Sequence, residues 1–311
     1  MKRLQAVKFK DEMLIQKKAV KRSVLYFSFA CIMILALNLL LSILAAYSGT
    51  RNNFVLYMLL LAGVSIISML APTFICSHLQ GGWRKNMRRY KPRCGKFDCM
   101  LMVLFGFGAC ILLNFLTGII AQLLPWLGGS GASYFGNDFV TVTMMIFTCA
   151  VVPAVCEELA FRGIIMGMLA RCGEDFAVVV SALCFGLLHS SFTGALFAFG
   201  SGIVFGIVRK TSGRLLPTML IHFMNNAFAV SASVAAKTFS NEGYSRFFLS
   251  FLTLSLVLML FSLYALRVRK IGLLKFKKRK CQLSTGTKAM VLISSPTFLV
   301  FVVLTVIDKV F

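Results

Sequence analysis

The sequence predicts an all-α polytopic membrane protein of about eight or nine transmembrane helices that surround a central cavity. Composition is the first observation behind this fold class, because 59% of the 311 residues are hydrophobic and the mean hydropathy is +0.85. The second observation is that long apolar runs alternate with short basic loops. An apolar run of about 20 residues spans a bilayer as a helix. A membrane barrel instead requires alternating polar and apolar residues, which these runs lack.

Nine apolar runs are candidate spans. They cover roughly residues 24–47, 54–77, 98–124, 139–160, 175–190, 192–209, 215–236, 247–267 and 289–308. The fifth run is short and its boundaries are soft, so the expected count is eight or nine. Basic loops separate several runs, and the polar turn at 171–175 separates the fourth from the fifth. In the sixth run, Gly202 and Gly206 form a GxxxG pair, which predicts close packing of this helix against a neighbour.

The chain is expected to form one membrane domain in four segments. These are a basic cytoplasmic N-terminal tail (1–23), N-terminal transmembrane helices (24–138), a core of transmembrane helices (139–236), and C-terminal transmembrane helices (237–311) with a basic cytoplasmic loop at 267–288. The core holds two adjacent glutamates and two of the three histidines. Any chemistry is therefore expected in the core.

The net charge of +23 indicates membrane orientation rather than nucleic-acid binding. The basic residues concentrate in the N-terminal tail and in the loops 84–96, 209–214 and 267–280, which fall on one side if nine helices are threaded. By the positive-inside rule, the N-terminus is cytoplasmic and the C-terminus lies outside. The dense lysine-rich loops and short spans favour a bacterial cell membrane. The lipid bilayer is thus an expected partner, and nucleic acid is not.

The ten cysteines do not indicate a disulfide framework. The sequence contains no CxxC pair, and apolar runs contain Cys31, Cys76, Cys110, Cys149, Cys156 and Cys184. We interpret them as small, reduced packing residues. The basic N-terminus precedes a long apolar run with no small-residue cleavage site, so a retained first helix is expected rather than a removed signal peptide.

Two adjacent carboxylates in an apolar helix are the strongest functional signal. Glu157, Glu158 and Arg162 lie in the fourth run, where an ionisable side chain costs roughly 2.5 to 3.5 kcal/mol and therefore indicates function. On a helix, Glu158 faces Arg162 at i,i+4, whereas Glu157 points about 100° away. We expect Glu158 and Arg162 to form a structural pair, which leaves Glu157 free to act.

Two further polar motifs follow in the fifth and seventh runs. Phe185 and His189 are four residues apart, as are His222 and Asn226. His222 and Asn226 therefore share a helical face and could present N–H donors to one point, as an oxyanion hole requires. Asn225 lies on the neighbouring face and is expected to form hydrogen bonds between helices.

The spacing of the chain predicts that Glu157 and His189 lie at equal depth. Gly173, in the polar turn, is sixteen residues after Glu157 and sixteen before His189. In an antiparallel helical hairpin, each would lie about 24 Å from this turn, at 1.5 Å per residue. His222 reaches the same level if the hairpin protrudes into the cytoplasm.

A carboxylate and a histidine that converge in a low-dielectric cavity can activate a water molecule for acyl hydrolysis, most plausibly of a peptide bond. Zinc bound by Glu157, His189 and His222 is an alternative, with an open fourth position for water. We favour a site without a cofactor, because Asn226 is a poor zinc ligand and a good oxyanion donor.

The three motifs Glu157-Glu158-xxx-Arg162, Phe185-xxx-His189 and His222-xxx-Asn226, in this order and within 70 residues, resemble those of the CAAX protease and bacteriocin-processing family, also called Abi proteins. The resemblance covers about residues 139–236. It implies an intramembrane endopeptidase with a catalytic cavity open to the cytosol, acting on a peptide or membrane-protein substrate.

The resemblance also implies residue roles. Glu157 and His189 would activate water, and His222 and Asn226 would hold the oxyanion. Glu158, Arg162 and Phe185 would support them structurally. The family includes enzymes that cleave prenylated CAAX proteins and bacterial members linked to bacteriocin maturation or self-immunity. A bacterial origin would make prenylated substrates unexpected.

Two other classes of function are open at this point. A bacteriocin-immunity or peptide-binding membrane protein could use the same cavity without catalysis. A transporter could use the carboxylates for proton coupling, but we see no inverted repeat of broken helices.

Overall fold

The computed structural model describes residues 2–49, 53–127, 138–273 and 283–310. Its regular elements within these ranges are helices, which confirms the all-α membrane fold. The helices are α1 (Lys2–Tyr47), α2 (Phe54–Leu79), α3 (Trp83–Met87), α4 (Lys96–Leu123), α5 (Phe139–Cys172), α6 (Glu174–Leu187), α7 (Phe192–Ser212), α8 (Leu216–Thr238), α9 (Asn241–Val268), α10 (Thr285–Ile293) and α11 (Pro296–Val310).

Seven helices in the described ranges are long and apolar enough to cross a membrane, namely α1, α2, α4, α5, α7, α8 and α9. The pair α10 and α11 would make an eighth span, although the two helices are bent by 67° at Ser294 and Ser295. The described residues therefore contain fewer than the nine spans that were the upper limit of the prediction. Helix α6 has only 14 residues, or about 21 Å, which is shorter than the roughly 30 Å hydrocarbon core.

Helices α6 and α7 form a tight hairpin with His189 at its tip. Gly202 and Gly206 allow the close approach, because a Cβ at these positions would lie 3.0 Å from Ala182 Cβ and 2.8 Å from Val178 Cγ1. The GxxxG pair is thus at a helix contact, as predicted. Ser191 begins α7 by accepting a hydrogen bond from the Gly194 N–H.

Three basic loops converge at the opposite end of the hairpin from His189. Arg93 forms an ion pair with Glu174 at 3.1 Å, and Lys210 forms one with Asp175 at 2.6 Å. Arg269 pairs with the Asp98 carboxylate at the start of α4. The loops before α4 and after α7 and the start of the loop after α9 therefore lie at one end of the bundle, as expected if all three occupy the same side of the membrane.

Helix α5 contains two π-helical segments, one on either side of the two glutamates. Ile146–Val151 and Leu159–Ile165 are π-helical, and Val152–Glu158 between them is α-helical. Pro153 interrupts the α-helical hydrogen bonding at the end of the first segment, because proline has no N–H to donate to the Cys149 carbonyl four residues earlier. Such π-helical turns occur often at functional sites.

Candidate active site

The four side chains predicted to be catalytic line one small cavity. Glu157 comes from α5, His189 follows the end of α6, and His222 and Asn226 come from α8. The cavity has a volume of about 130 Å³. Residues distant in sequence are thus brought together around one cavity.

Glu158 and Arg162 form the expected pair. Arg162 Nη1 donates to Glu158 Oε1 at 2.8 Å, and both side chains are fully buried. Three aromatic rings surround the guanidinium, with its carbon 4.3 Å from the centre of the Phe185 ring, 4.9 Å from Phe205 and 5.9 Å from Phe161. Cation–π attraction and the ion pair together compensate the buried positive charge.

His222 lies between the two glutamates. Its Nδ1 is 3.1 Å from Glu158 Oε1, and its Nε2 is 3.7 Å from Glu157 Oε2. Because a carboxylate paired with an arginine accepts hydrogen bonds, Nδ1 carries a proton and Nε2 faces Glu157 and the cavity. The ring also stacks on Phe205, with centroids 5.3 Å apart. Glu158 therefore orients a predicted catalytic histidine in addition to pairing with Arg162, a contact that the sequence did not predict.

His189 is oriented by its own helix. Its Nδ1 is 2.9 Å from the Phe185 carbonyl oxygen. A carbonyl only accepts, so Nδ1 carries a proton and Nε2 remains for a water molecule. The Phe185 ring lies edge-on to His189 at 5.0 Å and to His222 at 6.0 Å, and thus supports both imidazoles.

The end of the helix that precedes His189 is held by α11. Lys309 Nζ donates to the carbonyl of Leu187, the last residue of α6, at 2.6 Å. A cation at a helix C-terminus is favourable because it compensates the partial negative charge there. The C-terminal helix thereby fixes the segment that carries His189.

Asn226 is tied to the backbone of α5. Its Nδ2 donates to the Cys149 carbonyl at 3.0 Å. Its Oδ1 accepts from Asn225 Nδ2 at 3.1 Å, and Asn225 Oδ1 accepts from Asn114 Nδ2 on α4 at 2.8 Å. The expected interhelical hydrogen bond of Asn225 is therefore present, and α4 participates in the site.

A second cavity of about 410 Å³ adjoins the first. Glu157, Phe185 and His189 line both cavities, so they form the boundary between them. The larger cavity also receives polar side chains from outside the core segment: Asn38 and Ser42 of α1 and Asp308 of α11.

No group of three His, Cys, Asp or Glu side chains in the described parts of the chain is arranged to hold a metal ion. This includes Glu157, His189 and His222, the set considered for zinc. Whether the site works without a metal stays a prediction.

Asn114 and the polar residues of α1 and α11 were missed by sequence reasoning. An amide inside an apolar span was the available signal for Asn114, because polar side chains at membrane depth usually find a partner on another helix. Asn38 offered the same signal in α1. Neither belongs to a local motif with the residues predicted to be catalytic.

The fold and the site define a polytopic helical membrane protein with a buried carboxylate and imidazole centre. A family model described as type II CAAX prenyl endopeptidase Rce1-like matches residues 139–228. The match includes all three motifs.

Two curated bacterial relatives show similarity to the chain. The putative membrane peptidase YdiL of Bacillus subtilis (strain 168) is 26% identical over 145 residues, or 44% of this chain and 59% of the relative. The membrane-embedded CAAX protease MroQ of Staphylococcus aureus (strain USA300) is 26% identical over 138 residues, or 41% of this chain and 55% of the relative. No solved structure gives a significant match.

The part of the chain that carries the three motifs is therefore similar to CAAX-type membrane endopeptidases. The chain spans little more than half the length of either curated relative.

Proposed function

We propose that this protein is a membrane endopeptidase that hydrolyses a peptide bond with a water molecule activated by Glu157 and His189. The observation that carries the proposal is the convergence of Glu157, His189, His222 and Asn226 on one cavity of about 130 Å³. Each of these side chains supplies a function that acyl hydrolysis requires, and a cavity of this size admits water beside a substrate carbonyl.

The reaction begins when Glu157 accepts a proton from water as the water oxygen attacks the scissile carbonyl carbon. His189 Nε2 accepts a hydrogen bond from the same water and orients it. The carbonyl π electrons move to oxygen and form a tetrahedral oxyanion. When this intermediate collapses, the carbon–nitrogen bond breaks and the protonated Glu157 gives its proton to the departing amine, which balances the reaction.

The oxyanion is stabilised by His222 and Asn226. His222 can donate from Nε2 only if both of its nitrogens carry protons, because its Nδ1–H faces Glu158. The carboxylates of Glu157 and Glu158 would compensate this imidazolium charge. Asn226 provides a neutral N–H donor, and such a donor is typically worth about 10² to 10³ in kcat.

The substrate class is a peptide or a membrane-protein segment within the bilayer of a bacterial cell. The relative MroQ is described as a CAAX protease, and the family model as a prenyl endopeptidase. For this chain, the 410 Å³ cavity is proposed to hold the residues that flank the scissile bond. A role in bacteriocin processing or immunity is compatible with the same site.

The proposal is tested with the purified protein in liposomes and a library of internally quenched nonapeptides. We expect the wild-type protein to cleave some members and Glu157→Gln to cleave them about 10² to 10⁴ times more slowly, because a general base contributes this much. Equal cleavage by the two proteins would refute the proposed base. If the wild-type protein cleaves nothing yet binds peptides, and His189→Ala and His222→Ala bind them equally, the protein is a peptide-binding or immunity protein.

The same assay, repeated after treatment with a chelator, tests whether cleavage requires a metal ion. We expect prolonged treatment with a zinc chelator to leave cleavage unchanged and elemental analysis to find no stoichiometric zinc. Activity that is lost on chelation and restored by zinc would instead assign a metal to Glu157, His189 and His222.

A further inference from the structure

We infer that Asn114 and Asn225 are positioning residues that fix the amide of Asn226 in the orientation needed to stabilise the oxyanion. This inference rests on the proposed hydrolysis. It adds a residue of α4 to the machinery, outside the segment 139–228 that the family model matches.

The carbonyl oxygen of Cys149 accepts the hydrogen bond that fixes the Asn226 amide. In a regular α-helix, this oxygen would accept a hydrogen bond from the N–H of residue 153. That residue is Pro153, which has no N–H, and the surrounding segment is π-helical. The amide of Asn226 donates to this carbonyl at 3.0 Å.

The Cys149 carbonyl determines the orientation of the amides in the hydrogen-bonded relay Asn114–Asn225–Asn226. A carbonyl can only accept, so the Asn226 nitrogen must face Cys149 and its oxygen must face away. Asn225 must then present its nitrogen to Asn226 and its oxygen to α4. Asn114 completes the series by donating from Nδ2 to Asn225 Oδ1 at 2.8 Å. If any one of the three side-chain amides were flipped, two acceptors or two donors would face each other.

The orientation has a direct consequence for the site. The side-chain amide of Asn226 has two N–H donors, and Cys149 accepts one of them. Asn226 also lines the small cavity with Glu157 and His222. The second N–H is therefore the group assigned to the oxyanion. Asn225, which donates to Asn226 and accepts from Asn114, is itself buried.

The relay is tested by removing its first donor, the side-chain amide of Asn114. Cleavage is measured with the nonapeptide that the wild-type protein cleaves fastest. Asn114→Asp keeps the shape and replaces the donor by an acceptor, and Asn114→Ala removes the donor without adding charge. We expect both variants to lower kcat about tenfold and to leave KM within twofold, because the oxyanion exists only in the transition state. Gln122→Glu, the same chemical change two turns further along α4, is the matched control and should keep wild-type kcat.

A double-mutant comparison separates positioning from general damage. In an Asn226→Ala background, Asn114→Ala should cause no further loss of kcat, because the amide that it positions is absent. An equal loss in both backgrounds, or wild-type kcat in both Asn114 variants, would overturn the inference. Failure of the proposed function is a different result, in which the wild-type protein and Glu157→Gln show the same cleavage.

Discussion

Glu157 and Glu158 are neighbours in sequence and have opposite environments. Glu158 is fully buried and its Oε1 accepts from both Arg162 and His222, whereas Glu157 lines two cavities and its side chain is 21% exposed. The helical spacing predicted this division of roles, because i,i+4 pairing occupies one carboxylate only. The contact between Glu158 and His222 could not be predicted, because it joins residues 64 positions apart through tertiary packing.

The same substitution should therefore have different effects at the two positions. Glu158→Gln leaves the Arg162 charge buried without its counter-ion, and breaking such a pair costs about 3 to 5 kcal/mol. We expect a large fall in the melting temperature of the detergent-solubilised protein, measured by intrinsic fluorescence. Glu157→Gln is the matched control and should melt within a few degrees of wild type. Equal melting temperatures for both variants would show that Glu158 is not required for stability.

At the scale of elements, helix α5 is shaped by its departures from α-helical geometry. The first π-helical segment leaves the Cys149 carbonyl to accept from Asn226, and the second carries Arg162, whose carbonyl accepts from Arg209 Nε on α7 at 3.2 Å. In both segments, a backbone acceptor contributes to a tertiary hydrogen bond. The irregular helix thereby connects α5 to α8 and α7 on either side of the glutamates.

Restoring the N–H at position 153 should disturb the site without destabilising the fold. In Pro153→Ala, the new N–H can donate to the Cys149 carbonyl and compete with Asn226. A net hydrogen bond is worth about 0.5 to 1.5 kcal/mol, so we expect kcat to fall roughly two- to tenfold. The melting temperature should stay the same or rise. Pro72→Ala, at the proline inside α2, is the control. A kcat that is unchanged at position 153, or reduced equally at both positions, would contradict this role.

The short helix α6 and the broken pair α10 and α11 were the elements that hydropathy described least well. A sliding window reports apolar length, and residues 175–190 are apolar enough to count as a short span. The structure ends α6 at Leu187, because Lys309 binds its last carbonyl and Ser191 begins the next helix. The Ser191 cap is a local feature of the sequence, whereas the Lys309 contact depends on the packed bundle and has no local sequence pattern.

At the scale of the whole molecule, the ion pairs of the basic loops and the two cavities of the candidate site occupy different regions. The basic loops meet at one end of the α6 and α7 hairpin through ion pairs such as Arg93 with Glu174, while Glu157 and His189 line cavities at the other end. Composition and motif order were sufficient to predict the fold class and the core helices of the site. The contributions of Asn114, Asn38 and Asp308 were predictable only in part, because an amide inside an apolar span predicts a partner on another helix, whereas tertiary packing decides which helix that is.

The most direct test of the account is the rate of peptide hydrolysis by Glu157→Gln, His189→Gln and the double variant, measured on the nonapeptide that the wild-type protein cleaves fastest. If the two residues activate one water molecule, each single variant should lose about 10² to 10⁴ in kcat, and the double variant should lose little more than either. A wild-type rate for Glu157→Gln would contradict the account. Losses that multiply in the double variant would show that the two residues do not act on the same water.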